Sequence, residues 1–313
     1  MEAKATRVGY GEMILELGRQ NKNIVVLSAD VTASTNSHLF AKEFPNRFFN
    51  IGISEQDMIC EAAGLSLVGK ISFVSAYAIF ATGRTWDQIR NTICYCDLNV
   101  KIIGTHSGLM VGPDGATHQA LEDIAITRAI PNLKVISPCD YLETKKAVKA
   151  IVHDFGPTYL RLGREKTPII TEENTPFKIG KANILRDGID VTIFATGVMV
   201  SEALKAAEIL EHENLSLRVV NVHTIKPLDK NTIIKCAKET GAIVTAEEHQ
   251  IVGGLGSAIA ETLGMNYPVP IEMVGMKDSF GESGEPFELL KYYGLSDIEI
   301  IKAVKNVLLR KKF

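Results

Sequence analysis

Residues 71–103 read ISFVSAYAIFATGRTWDQIRNTICYCDLNVKII. The run ISFVS at 71–75 is short and apolar enough to form a buried strand, and NVKII at 99–103 is a second one. Between them, residues 84–95 place Trp86, Ile89 and Ile93 at the three- and four-residue spacing of one helix face. Strand, helix and strand in this order form the crossover that joins neighbouring parallel strands. The same alternation continues on both sides. IVVLS at 24–28, KVIS at 134–137 and TYLRL at 158–162 read as further strands, and residues 8–20, 56–68 and 141–154 as helices. This predicts an α/β unit whose mostly parallel sheet is covered by helices on both faces.

After residue 164 the pattern lapses into REKTPIITEENTPFKIGK, with Pro168, Pro176 and mixed charge, which suits an interdomain linker. The alternation then resumes. VTIFA at 191–195, LRVVNV at 217–222, AIVTA at 242–246 and PIEMV at 270–274 are strand candidates, with helices near 199–212, 229–239, 254–264 and 296–309. Two consecutive α/β domains are expected, which agrees with a length of 313 residues.

With 46% hydrophobic and 23% charged residues the chain has the make-up of a soluble globular protein. A net charge of −3 argues against a general nucleic-acid binder. The most apolar stretch, residues 71–82, is too short to cross a bilayer, and MEAKATRVGY lacks the apolar core of a signal peptide, so a cytoplasmic protein without membrane contact is expected. Cys60, Cys94, Cys96, Cys139 and Cys236 are expected as reduced core thiols, without disulfides or a structural metal.

In an open parallel sheet, functional groups collect on loops at the carboxyl ends of the strands. Three loops fit. SADVTASTN after strand 24–28 carries Ser34, and NIGISEQDM before helix 56–68 carries Glu55. The third, GTHSGLMVGPDGATHQ at 104–119, holds His106, Asp114 and His118 on a segment whose glycines and proline should keep it from becoming helix or strand. Two imidazoles and a carboxylate there suit a polyhydroxylated, phosphorylated ligand; an incidental surface turn is the rival reading. Glu55 is either a helix-start acid favoured by the macrodipole or a carboxyl that hydrogen-bonds a ligand ring nitrogen. Tyr77 and Phe80 are either core aromatics or a wall for a planar heterocycle. Asp87 and Arg90, one turn apart, read as a surface or interface ion pair. Arg7, Ser34 and Arg164 flank the same sheet and together suit a phosphate clamp. GGLGSA at 253–258 misses the G-x-G-x-x-G spacing and reads as a tight turn into a packed helix. The neighbouring Glu247, Glu248 and His249 are either a site for acid–base chemistry or solvated strand-end charges, and the second reading is preferred.

Taken together, GISEQDM at 52–58, SAYAIFATGR at 75–84, HSGLMVGPDGATHQ at 106–119, ATGVMVSEAL at 195–204 and EEHQIVGGLGSA at 247–258 resemble the C-terminal half of transketolases over nearly the whole chain. The resemblance implies a pyrimidine-binding domain at 1–165, a linker at 166–187 and a transketolase C-terminal domain at 188–313. It further implies two-carbon glycolaldehyde transfer from a ketose phosphate to an aldose phosphate. Thiamine diphosphate and Mg²⁺ are the implied cofactors. In the family a separate N-terminal domain with Gly-Asp-Gly and a downstream Asn binds the diphosphate and metal. The two Asp-Gly pairs here, Asp114-Gly115 and Asp187-Gly188, are not in that pattern. The implied partner is therefore an N-terminal subunit, and the implied assembly a homodimer of this chain within a heterotetramer.

By the same resemblance Glu55 matches the catalytic glutamate that hydrogen-bonds the aminopyrimidine and favours its imino tautomer. Phe80 matches the aromatic stacked on that ring, with Tyr77 beside it. Arg7, Ser34, His106 and Arg164 match the sugar-phosphate contacts, Asp114 the contact to an acceptor hydroxyl, and His118 a histidine beside the reacting carbons. Two departures bear on substrate tuning. The loop reads HSGLMVGPD where many transketolases have an acid after the first histidine, and the aromatics beyond Phe80 are spaced differently. Other readings are the beta subunit of a 2-oxo-acid dehydrogenase decarboxylase component, a half related to deoxyxylulose-phosphate synthase, and a regulatory or scaffolding chain. A sugar-phosphate-gripping histidine at 106 separates transketolase from the two enzymatic alternatives.

Overall fold

The computed structural model describes residues 2–311. In chain order its strands are β1 Ala3–Ala5, β2 Ile24–Ser28, β3 Phe48–Asn50, β4 Ile71–Tyr77, β5 Val100–Thr105, β6 Lys134–Ile136 and β7 Thr158–Arg161. There follow β8 Lys166–Pro168, β9 Asn183–Arg186, β10 Val191–Ala195, β11 Leu217–Asn221, β12 Thr224–Lys226, β13 Ile243–Gln250 and β14 Ile271–Met276. Six parallel strands of the first half and the antiparallel β12 form a seven-stranded sheet in the order β12-β6-β7-β5-β4-β2-β3. The second half forms a five-stranded sheet in the order β14-β13-β10-β11-β9, parallel except for the edge strand β9.

Alternation along the strands makes this a covered sheet. In β2, Val25 and Leu27 enter one core while Ile24 and Val26 enter the other; in β4, Val74 and Ala76 oppose Phe73 in the same way. The helix Thr6–Gln20 packs Tyr10, Ile14 and Leu17 into the second of these cores, and Glu55–Leu67 packs Met58, Ile59 and Ala62 into the first. In the second half the two cores are separated likewise, with Ile193 on one face of β10 and Phe194 on the other. Two consecutive α/β units with mostly parallel sheets are thus what the sequence pattern anticipates.

Several expectations change. The stretch expected as an irregular linker contains β8, which pairs with β1, and β9, which edges the second sheet; edge pairing tolerates the prolines and charges that masked it. The helix expected at 84–95 begins earlier, and residues 80–94 are wound largely with wide π-type turns, at Phe80–Arg84 and Ile89–Cys94. Asp87 does not pair with Arg90: both side chains bond Asn91 instead. Cys94, Cys139 and Cys236 are buried free thiols, but Cys60, on the helix Glu55–Leu67, and Cys96, in the turn after Cys94, are exposed. The turn Gly253–Gly254 does lead into a packed helix, Leu255–Asn266, yet Glu247, Glu248 and His249 before it are buried rather than solvated. The strand they end runs to Gln250, four residues beyond the expected limit, and its last residues bond the first unit.

Candidate active site

β2 ends at Ser28, β4 at Tyr77, β5 at Thr105 and β7 at Arg161, and as parallel strands they end on one edge of the sheet. From β2 the chain steps outward to β3 and then returns to β4 on the other side of β2. That reversal is the switch point where open α/β sheets form their ligand crevice.

Glu55 opens the helix Glu55–Leu67, so its backbone position satisfies the helix-start reading. Its side chain does more. The carboxylate is only 5% exposed and accepts from Arg84 Nη1 at 2.8 Å through Oε2. The wide turn Phe80–Arg84 folds the same guanidinium over the Phe80 ring, 4.5 Å from its centre. Phe80 meets His118 edge to face at 5.3 Å and 83°, and Tyr77 stacks on His106 at 4.1 Å and 28°. Tyr77, Phe80 and His118 are half-buried. Acid, aromatic wall and both histidines therefore form one contiguous chain of contacts, from Glu55 and His106 in the interior to the half-buried rings.

The histidine loop differs from expectation in two respects. Residues 105–112, with His106, are buried and are no surface turn, whereas Pro113, Asp114, Ala116 and Thr117 are exposed. Leu109–Asp114 also forms tight 3₁₀ turns, interrupted at Gly112, because i to i+3 turns tolerate the glycine-proline pair that an α-helix would not. His106 has φ +57°, a left-handed conformation that costs energy in a non-glycine residue. Its Nδ1 bonds the Thr105 hydroxyl at 2.9 Å. Burial, then the positive Arg7 and Arg164 and then His118, hold its pKa down to about 3, so the imidazole is neutral.

Arg7 donates from Nη1 to the Ser34 carbonyl at 2.6 Å and from Nε to the Arg164 carbonyl at 3.0 Å. Arg164 donates to the Val111 carbonyl at 2.6 Å and lies 3.6 Å from Asp114 and 3.5 Å from Glu165. Burial and then Arg164 lower the Arg7 pKa. An anion between two such guanidinium groups relieves their repulsion. Sequence had flagged Arg7, Ser34, His106, Asp114 and Arg164 on four separate segments; the fold brings them together.

Residues outside that set hold the loop. Arg161 is buried and donates from Nε to Asp123 at 2.7 Å, and the same Asp123 oxygen accepts the Tyr159 hydroxyl at 2.6 Å. Breaking such a buried pair on one side costs about 3–5 kcal/mol. Their signal was Arg161 inside the otherwise apolar TYLRL, two residues from Tyr159 and hence on the same strand face.

Residues 2–169 match the model of the transketolase pyrimidine-binding domain, and residues 180–300 that of the transketolase C-terminal domain. The chain belongs to the transketolase family. It is 51% identical to the putative transketolase C-terminal section of Methanocaldococcus jannaschii, over 96% of this chain and 95% of that one. It is 42% identical to a 6-deoxy-6-sulfo-D-fructose transketolase subunit of a Clostridium species, over 100% of this chain and 97% of that one. A split-gene transketolase solved as an inactive beta4 tetramer superposes with a TM-score of 0.93 at 48% identity, covering 98% of this chain and 99% of that one.

Transketolases use thiamine diphosphate, and the cluster fits its pyrimidine: a buried carboxylate to meet a ring nitrogen and a half-buried aromatic wall to meet the ring face. Among the described residues no group of three or more His, Cys, Asp and Glu side chains is placed to hold a metal ion. No helix there is long and apolar enough to cross a membrane.

Proposed function

We propose that this chain is the C-terminal subunit of a two-subunit transketolase that moves a glycolaldehyde unit from a ketose phosphate to an aldose phosphate. The observation that carries the reading is the unbroken chain of contacts from Glu55 through Arg84, Phe80, Tyr77 and His106, with the Arg7, Ser34 and Arg164 cluster beside it. Bound thiamine diphosphate supplies the nucleophile and the electron sink for breaking the bond between C2 and C3 of the ketose. Glu55 holds a proton against the pyrimidine nitrogen through the oxygen that Arg84 leaves free. Phe80 and Tyr77 orient the ring. His118, at the edge of Phe80, is placed to move protons at the substrate oxygens, and neutral His106 donates to the sugar phosphate together with Arg7, Ser34 and Arg164. Asp114 accepts from an acceptor hydroxyl.

Diphosphate and Mg²⁺ are held by the partner, an N-terminal transketolase subunit, in a heterotetramer containing two copies of this chain, and the site of action is the cytoplasm. The cluster of two arginines and a neutral histidine recognises a terminal anion on the sugar. The sulfo-sugar named for the Clostridium relative makes the identity of that anion the point to test. Turnover of the reconstituted pair with phosphorylated, sulfonated and uncharged ketoses decides it. A preference for the phosphorylated donor supports the proposal, and equal use of the uncharged sugar overturns it.

A further inference from the structure

Glu247 and Glu248 stand together in β13, and strand alternation sends their side chains to opposite sides. Glu247 stays within its own unit. It accepts from Leu255 N at 2.7 Å and Gly256 N at 2.8 Å and so caps the helix Leu255–Asn266. Glu248 leaves its unit and enters the histidine loop of the first, where Oε1 accepts from Met110 N at 2.8 Å. Its own carbonyl accepts from Arg161 Nη2 at 2.9 Å, the arginine already fixed by Asp123.

The loop makes room for this carboxylate at one residue. Gly108 has φ +75°, and a Cβ there would lie 2.2 to 2.6 Å from the carboxylate atoms of Glu248. Further along, the second unit closes on the loop again. A Cβ on Gly112 would lie 2.8 Å from Pro286, one on Gly115 would lie 2.5 Å from Ser283, and Gln119 donates to the Glu282 carbonyl at 2.9 Å. Residues 108–119 are thus shaped from outside their own domain. His106 lies two residues before Gly108, and Asp114 and His118 lie within the shaped stretch.

Stability does not explain the arrangement. Burying a carboxylate is costly even when it is hydrogen-bonded, and an apolar side chain of similar volume would serve a packed seam at least as well. What the side chain adds is a directed bond from the Met110 N–H to its acceptor oxygen, and with it a fixed shape for the loop that follows the strained His106. We infer that Glu248 is a positioning residue: from the second α/β unit it sets the loop at the geometry in which His106 and Asp114 grip the substrate. The inference rests on the proposed substrate role of those two residues.

The test uses the full chain and inorganic phosphate as probe, with phosphate binding followed by the NMR shift of the His106 ring. Glu248→Ala is expected to weaken phosphate binding by about tenfold or more, since Met110 N–H loses its partner. Glu248→Gln, which keeps an acceptor oxygen at the same place, is expected to stay within about threefold of the parent chain. Gly108→Ala disturbs the same contact from the other side and is expected to match Glu248→Ala, which keeps the inference testable should the alanine variant at 248 fail to fold. Parent-like binding by the folded Glu248→Ala or Gly108→Ala chain overturns the inference, as does a Gln variant as weak as the Ala variant. If phosphate shifts the His106 ring of the Glu248→Ala chain just as it shifts that of the parent chain, only this inference falls. If phosphate leaves the His106 ring of the parent chain unmoved, the assignment of the substrate site falls with it.

Discussion

Arg84 donates to Oε2 of Glu55 at 2.8 Å while its guanidinium lies 4.5 Å above the Phe80 ring. One planar cation therefore touches both groups assigned to the cofactor pyrimidine, the acid and the aromatic. Arg84 is 46% exposed, and ion pairs with one partner so open to water are worth about 1 kcal/mol or less. A pair of that strength steadies the Glu55 carboxylate without locking it.

Glu55→Gln in the reconstituted enzyme is expected to lower turnover by about a hundredfold or more, because an amide cannot exchange the proton that a carboxyl can. Exchange of the cofactor C2 hydrogen, followed by NMR, should slow in parallel. Arg84→Ala should leave that exchange within about tenfold of the parent, since the guanidinium only steadies the acid. Parent-rate exchange in the Gln variant would reduce Glu55 to a helix-start acid.

Activity is expected only with a second chain. The only two Asp-Gly pairs in the sequence, Asp114-Gly115 and Asp187-Gly188, are not in the Gly-Asp-Gly pattern that binds diphosphate and Mg²⁺ in the family. Pure chain supplied with excess thiamine diphosphate and Mg²⁺ should show no transfer, and addition of an N-terminal transketolase subunit should restore it. Full turnover by the chain alone contradicts the two-subunit proposal.

The parts of this molecule legible in its sequence are those governed by short-range pattern. IVVLS, ISFVS and VTIFA are strands at or near the expected limits because an apolar run buried on both faces leaves little choice of register. Glu55, Phe80 and His106 were visible as residue types on the right loops. Their grouping at one sheet edge was expected from topology, but the contacts that join them were not, because they depend on the wide turn that swings Arg84 back over Phe80 and on the positive φ of His106. Glu248 was misread for a related reason: a charged triplet at a strand end is normally solvated, and only the packing of the second unit against the first buries it.

Acid stability should expose that burial. Burial holds His106 down to about 3 and His223 and His249 down to about 4, so between their ordinary value near 6.5 and those values the unfolded chain binds protons that the native chain refuses. Stability therefore falls as pH falls through that window. Glu247 and Glu248, pushed up to about 7 by burial, work the other way, since below 7 the native chain holds protons that the unfolded chain releases down to about 4.5. Glu248→Gln removes one of these two opposing protons. Its unfolding free energy should therefore decline more steeply on acidification, by up to about 1.4 kcal/mol per pH unit. Urea unfolding at several pH values between about 4.5 and 6.5 measures the slope, and an unchanged slope argues that Glu248 is ionised throughout.

The two ends of the histidine loop should give different phenotypes. His106 is buried and neutral beside Arg7 and Arg164, whereas Asp114 is exposed and 3.6 Å from Arg164. If His106 donates to the terminal anion, His106→Ala should raise KM for a phosphorylated ketose and leave an unphosphorylated analogue nearly unaffected. A lost hydrogen bond to a charged group costs roughly 1.5–3 kcal/mol, and the analogue never made it. Asp114→Ala should instead reduce discrimination between acceptors that differ at the hydroxyl beside the aldehyde, with little change in KM for the donor. Because His106 is uncharged from pH 8 down to its value of about 3, the KM effect should persist across the neutral range rather than appear only on acidification. Equal losses for phosphorylated and unphosphorylated donors in the His106 variant would mean that the ring acts through its stacking on Tyr77, and hence on the pyrimidine wall, and not on the sugar phosphate.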